Sequence, residues 1–182
     1  MIEPTDRAGP AESNEQCTGA GPQIVVVCGP PGVGKSTVAK RIADRLNADV
    51  FRTDVLRKQL FEDPEYTNNE TDQTYKALFE RMNAVVEDGR SAVVDGTFRT
   101  RTIRTRARKR AELQDVPFSL VNVTCDESVI KARIDQREDV SDADFTIHKQ
   151  IKSEFEPIEI PHLVIDNSGG LEALYRQIDK QL

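Results

Sequence analysis

Residues Gly29-Pro30-Pro31-Gly32-Val33-Gly34-Lys35-Ser36 satisfy the spacing G-x-x-x-x-G-K-[ST] between an apolar run and an amphipathic stretch. Glycines at those positions let successive backbone N–H groups turn inward around phosphate oxygens, and the helix that follows presents its positive N-terminus to the same anion. Lys35 is then expected to reach the β- and γ-phosphates, and the Ser36 hydroxyl to bind Mg²⁺. Gly29 through Thr37 are therefore the candidate nucleotide-binding residues. With glycine at about 7% of residues in general, a chance match in a chain of this length is on the order of one in a hundred.

A phosphate loop alone does not separate kinases from GTPases, motors or sensors. The Asn-Lys-x-Asp base-reading sequence of GTPases is absent, and the chain is small for a motor with coupling elements. Asp95 ends the apolar run Ala92-Val93-Val94, where a carboxylate can hold Mg²⁺ directly or through water; otherwise it caps the next turn. Asp54 ends a second short strand, and Arg57 lies one helical turn further on. A carboxylate there can take the proton of an attacking hydroxyl while an arginine holds an anionic group of the substrate; the alternative is a helix-capping Asp with a surface Arg. Either Asp54 or Asp95 could be the general base on this reasoning.

Arginine is dense in one further segment: Arg99, Arg101, Arg104, Arg106, Arg108 and Arg110, with Lys109. Ile103, Ala107 and Ala111 form a narrow apolar stripe by which this helix can dock, leaving a basic face beside Asp95. Arg101 and Arg104 would attract an anionic acceptor such as a nucleic-acid phosphate or a phosphorylated metabolite, unless acidic neighbours balance the face. Base stacking is poorly served by seven Phe, three Tyr and no Trp. His148 and His162 fit a helix position and a strand end better than a catalytic role, since phosphoryl transfer at a phosphate loop needs no histidine.

These residues need a scaffold, and the chain of 182 residues is long enough for one sizeable core. The formal net charge of -6 disfavours whole-surface binding to nucleic acid or membrane. Glu3, Asp6, Glu12 and Glu15 against Arg7 place half of it in residues 1–22, a Pro- and Gly-containing stretch expected to be a disordered N-terminal extension preceding one domain at 23–182. No signal-peptide pattern or membrane-length apolar run is seen, so a cytoplasmic location is expected. Cys17, Cys28 and Cys125 lack the spacing of a zinc site or disulfide framework.

Strands are predicted at Ile24 to Cys28, Asp49 to Arg52, Ser91 to Asp95, Phe118 to Cys125 and His162 to Asp166. Helices are predicted at Lys35 to Leu46, Val55 to about Phe61, Thr71 to Asp88, Thr100 to Gln114, Glu127 to Glu138, Ser141 to about Phe155 and Leu171 to Leu182, with Ser141 and Asp144 forming a capping box. Regular alternation of strand and helix implies an α/β domain with a parallel sheet.

The sequence resembles the small P-loop kinases grouped with zeta toxins, polynucleotide 5′-hydroxyl kinases and gluconate kinases. It is especially similar to the AAA-type ATP-binding domain that also occurs fused to aminoglycoside-phosphotransferase-like domains. The resemblance rests on the loop at 29–36, on Thr53-Asp54-Val55-Leu56-Arg57-Lys58, on Val94-Asp95-Gly96-Thr97-Phe98 with Arg101 and Arg104, and on Ala132-Arg133-Ile134-Asp135-Gln136-Arg137 before Ser141-Asp142-Ala143. It implies a three-layer fold with a five-stranded parallel sheet, order 2-3-1-4-5, and helices on both faces. It also implies Asp54 as general base, Arg57 as a substrate-phosphate ligand, and Arg133 and Arg137 as lid arginines. Their i,i+4 spacing would let the two arginines pack on the adenine and neutralise the transferred phosphoryl, unless they are solvated charges beside Asp135 and Glu138. The lid, Glu138 to Val140, is very short.

The expected activity is thus ATP- and Mg²⁺-dependent transfer of the γ-phosphoryl to a hydroxyl of a small polar metabolite or to a nucleotide or nucleic-acid 5′-hydroxyl. The alternatives are a regulatory nucleotide switch and a nucleic-acid-binding ATPase without kinase activity. Nothing in the sequence sets the oligomeric state.

Overall fold

The computed structural model describes residues 21–135 and 142–182. Five strands, β1 (Ile24–Cys28), β2 (Asp49–Arg52), β3 (Ala92–Asp95), β4 (Phe118–Thr124) and β5 (Leu163–Asp166), form a single parallel sheet in the order β2-β3-β1-β4-β5. The implied strand order is the one observed. β1 and β3 are buried along their whole length, which is why both read as unbroken β-branched or small apolar runs rather than alternating ones.

Among the described residues seven helices cover the two faces of this sheet: α1 (Lys35–Leu46), α2 (Thr53–Leu60), α3 (Asn68–Glu87), α4 (Arg101–Leu113), α5 (Glu127–Asp135), α6 (Asp142–Ser153) and α7 (Leu171–Gln181). Alternation along β1 sorts the core. Ile24, Val26 and Cys28 pack with Leu78, Phe79 and Met82 of α3 and Ile103, Ala107 and Ala111 of α4. Val25 and Val27 pack with Val38, Ala39 and Ile42 of α1, Ile130 of α5, and Leu174 and Ile178 of α7.

Boundaries moved where a cap decided them. α3 begins at Asn68 rather than Thr71 because the Thr67 hydroxyl accepts the Glu70 backbone N–H at 3.2 Å, and α4 is capped in the same way by Thr100 and the N–H of Ile103. α2 starts at Thr53, so Asp54 sits in its first turn rather than at the end of β2. Residues 1–20 of the extension expected over 1–22, the end of the fifth helix, the short lid and the hydroxyl of the Ser141 capping box lie outside the described residues. No helix among the described residues is long and apolar enough to cross a membrane.

Candidate active site

Every parallel strand delivers its C-terminal end to the same edge, and that edge collects the candidate residues. β1 runs directly into the phosphate loop, and α1 leaves it at Lys35. Gly34 adopts a left-handed φ of 90°, and a Cβ there would overlap the side-chain amide of Asn167. A Cβ on Gly29 would come within 2.6 Å of the Val123 carbonyl oxygen on β4. The loop spacing is therefore a steric requirement as well as an anion cradle.

The loop is braced by hydrogen bonds to its backbone carbonyls, two of them from distant parts of the chain. Asn167, just past β5, donates its amide to the Val33 carbonyl at 2.8 Å. His148 of α6 is buried, and its Nδ1 lies 2.7 Å from the Pro31 carbonyl while its ring stacks on Phe145. Lys35 Nζ donates to the Pro30 carbonyl at 2.9 Å. Burial pulls the Lys35 ammonium below the ordinary lysine range, with the Asp95 carboxylate opposing that shift. His148 lies on a helix as expected; its contact with the loop, and the whole contribution of Asn167, were not foreseen.

The structure brings the two candidate metal ligands together: the Ser36 hydroxyl donates to Asp95 Oδ2 at 2.6 Å. Burial raises the Asp95 carboxyl above the usual carboxylate range, and the Ser36 hydrogen bond opposes it. A hydroxyl and a carboxylate are hard oxygen donors of the kind that hold Mg²⁺ beside phosphate oxygens, so these residues fit the ion. Among the described residues no group of three or more His, Cys, Asp and Glu side chains could hold a metal without such help.

Arg52, passed over in the sequence, connects the two acidic candidates. Its Nη2 donates to Asp54 Oδ2 at 2.7 Å and its Nε lies 3.6 Å from Asp95 Oδ2. The parallel register pairs Arg52 with Asp95, so the signal was available once the ends of the second and third strands were aligned. A cleft of about 440 Å³ opens beside this cluster, lined by Ser36, Thr37, Lys40, Val50, Arg52 and Tyr175.

Arg57 is only 7% exposed. Its Nη1 lies 3.5 Å from Glu70 Oε2, its Nη2 donates to Thr71 Oγ1 at 3.2 Å, and the Tyr66 ring covers the guanidinium at 4.8 Å. The expected substrate ligand thus comes with a carboxylate already attached. Glu70 was not anticipated, because it lies 13 residues away across a loop.

The arginine helix departs further from expectation. Arg104 is 2% exposed, and its guanidinium donates to the carbonyls of Phe98, Arg99, Glu156 and Pro157 at 2.8–3.0 Å. Those four carbonyls take up the guanidinium, so Arg104 cannot also attract an acceptor; it ties the loop after β3 to the segment after α6. Arg101 is exposed but paired with Glu159, while Arg99 pairs with Glu154, Arg106 with Asp72 and Arg108 with Glu112. Four charges of the basic face are thus paired, two by Glu154 and Glu159 of the segment after α6 and two by Asp72 and Glu112.

Arg133 of α5 donates to the Asn167 carbonyl at 3.0 Å, so it borders the loop after β5. Arg137 lies outside the described residues.

A family model described as an AAA domain matches residues 24–158. A protein of Mycobacterium tuberculosis described as uncharacterized is 26% identical over 119 residues, covering 59% of this chain and 24% of that protein. The chain therefore spans less than a quarter of that relative's length. Among solved structures, a gluconokinase from Sinorhizobium meliloti superposes with a TM-score of 0.68 at 21% identity, covering 86% of this chain and 89% of that one. The Mycobacterium tuberculosis APS kinase in complex with AMPPNP and APS superposes with a TM-score of 0.66 at 17% identity, covering 88% and 97%. These likenesses show the fold, which is that of the P-loop kinases.

Proposed function

The chain belongs to the AAA domain family, and from that premise we propose that it is an ATP- and Mg²⁺-dependent kinase that transfers the γ-phosphoryl group to a hydroxyl of a small molecule. One observation carries the reading. The Ser36–Asp95 pair at the mouth of the phosphate loop is linked through Arg52 to Asp54, so the metal-binding carboxylate and a second, exposed carboxylate stand side by side. A nucleotide switch needs the first of these; the second, besides pairing with Arg52, is placed to take the proton of an attacking hydroxyl. The motif order shared with zeta toxins, polynucleotide 5′-hydroxyl kinases and gluconate kinases supports the same assignment.

In this mechanism the backbone N–H groups of Gly32 to Ser36 and the N-terminus of α1 bind the phosphates, and Lys35 sets its charge against the β- and γ-oxygens. Magnesium held by Ser36 and Asp95 supplies positive charge against the phosphate oxygens and so eases the charge that develops on transfer. Asp54 removes the acceptor proton as the oxygen attacks. Asp95 does not serve as the base, because it is buried and hydrogen-bonded to Ser36, whereas Asp54 is open to solvent. Arg133, bonded to the loop after β5, approaches the nucleotide from that side, and Arg137 keeps the role at the transferred group that the family resemblance implies. Arg101 stays a rim residue, and its pairing with Glu159 limits what it contributes to acceptor binding.

ATP consumption measured against a panel of sugars, polyols, amino alcohols and 5′-hydroxyl oligonucleotides tests the proposal. Asp54→Asn is expected to lower kcat by about 10³-fold while leaving ATP affinity within about twofold. Acceptor-independent hydrolysis that Asp54→Asn leaves unchanged would replace the kinase with a switch.

A further inference from the structure

The assignment of Asp54 as base places the acceptor against the first turn of α2, where Arg57 lies one turn further along the same helix. Arg57 would be the natural holder of an acceptor phosphate if its charge were free. It is not. Glu70 faces it at 3.5 Å, and Glu70 is itself pinned: its Oε1 accepts the Glu65 backbone N–H at 3.1 Å and it stands in the first turn of α3, where the helix N-terminus favours a carboxylate. Both side chains are largely buried, so pulling Arg57 away would leave an uncompensated charge in a poorly solvated place. A phosphate arriving here would meet Glu70 as well as Arg57.

Neighbouring cations do not change the balance. Among the described residues, Arg52 is held by Asp54, Arg99 by Glu154, Arg101 by Glu159 and Arg104 by four carbonyls. What the Arg57–Glu70 pair offers is a fixed donor beside a fixed acceptor with no net charge. Adjacent hydroxyl groups match that arrangement, since each can donate to the carboxylate and accept from the guanidinium.

We propose that the phosphoryl acceptor is a neutral polyol, a sugar or sugar alcohol without a phosphate group, read by the Arg57–Glu70 pair. This rests on the kinase reading above and replaces the anionic acceptor expected from the arginine count. In the reaction a hydroxyl oxygen of the polyol forms the new bond to the γ-phosphorus, the bond from that phosphorus to the β–γ bridging oxygen breaks with its electrons leaving on ADP, and the hydroxyl proton passes to Asp54.

The test uses the full chain with its phosphate loop filled by Mg²⁺ and AMPPNP, so that only the acceptor side remains for an anion, and titrates inorganic phosphate calorimetrically. The wild type is expected to show no saturation up to about 20 mM. Glu70→Gln, which removes the carboxylate facing Arg57 and leaves it the Thr71 hydroxyl and the Tyr66 ring, is expected to bind phosphate at least about tenfold more tightly, and Glu70→Gln with Arg57→Gln to lose that gain. Glu70→Asp, a smaller change, is expected to move the same way by less. Sub-millimolar phosphate binding by the wild type that Arg57→Gln abolishes would overturn the proposal, as would no gain in either Glu70 variant. In turnover assays, neutral polyols are expected to be phosphorylated and their monophosphates not; the reverse preference would also overturn it. If AMPPNP binds but no acceptor on the panel is used, the kinase reading fails, while the phosphate titration still decides whether Arg57 is neutralised.

Discussion

The two halves of the active edge are built from different materials. Around the phosphate loop the bracing contacts end on the backbone: Asn167, His148 and Lys35 each hold a loop carbonyl, and glycines make room. Along α2 to α4 the contacts are charges cancelling charges: Arg52 with Asp54, Arg57 with Glu70, Arg99 with Glu154 and Arg101 with Glu159. One half is prepared for a polyanion and leaves its electrostatic potential unspent. The other has spent its potential internally, which suits a ligand recognised by hydrogen bonds rather than by charge.

Substitutions can test this contrast from either side. The largest effect is expected from Gly34→Ala, where the new methyl meets the Asn167 amide and the residue must keep a φ of 90°. ATP affinity should fall by about 100-fold or more in a binding titration, since both the loop and its brace are displaced. Next comes Arg104→Met on the charged side. Removing one guanidinium takes a donor from four carbonyls, of which, among the described residues, only that of Arg99 keeps a backbone partner, and a loss of about 3 kcal/mol, or about 10 °C in Tm by calorimetry, should follow with little change in ATP affinity. Asn167→Ala removes a single neutral brace, for which a drop of about tenfold in ATP affinity without a comparable loss of Tm is expected.

The smallest effect concerns Cys28 at the end of β1. Burial pushes its thiol up to about 12 from an ordinary 9.0. A group whose folded pKa is raised contributes stability that is complete below 9.0 and is lost as pH climbs toward 12. Native protein should therefore leave Cys28 unalkylated by iodoacetamide at pH 9, as read by peptide mass, while the urea-unfolded chain is modified at once.

Parts of this architecture were legible in sequence and parts were not, for reasons that attach to particular residues. Strand β1, the loop and α1 are contiguous, and each obeys a local rule: β-branched burial, glycine geometry, a periodic apolar face. Asp95 was legible as a strand end, and the fold brings its carboxylate to the Ser36 hydroxyl. Arg104 was read as a ligand because composition cannot tell a solvated arginine from one that clamps carbonyls. Its partners Glu156 and Pro157 lie in a segment without periodicity, and no spacing rule links them to it. Glu70 and Asn167 escaped notice for the same reason.

What the chain's own order settles is therefore the nucleotide half, since eight adjacent residues and their flanking elements carry its geometry through steric limits on the backbone. The fate of each charge beyond it was left to the folded arrangement. Whether an arginine attracts a ligand depends on which carboxylate or carbonyl comes within about 3 Å of it, and that is a property of long-range packing rather than of neighbours in sequence.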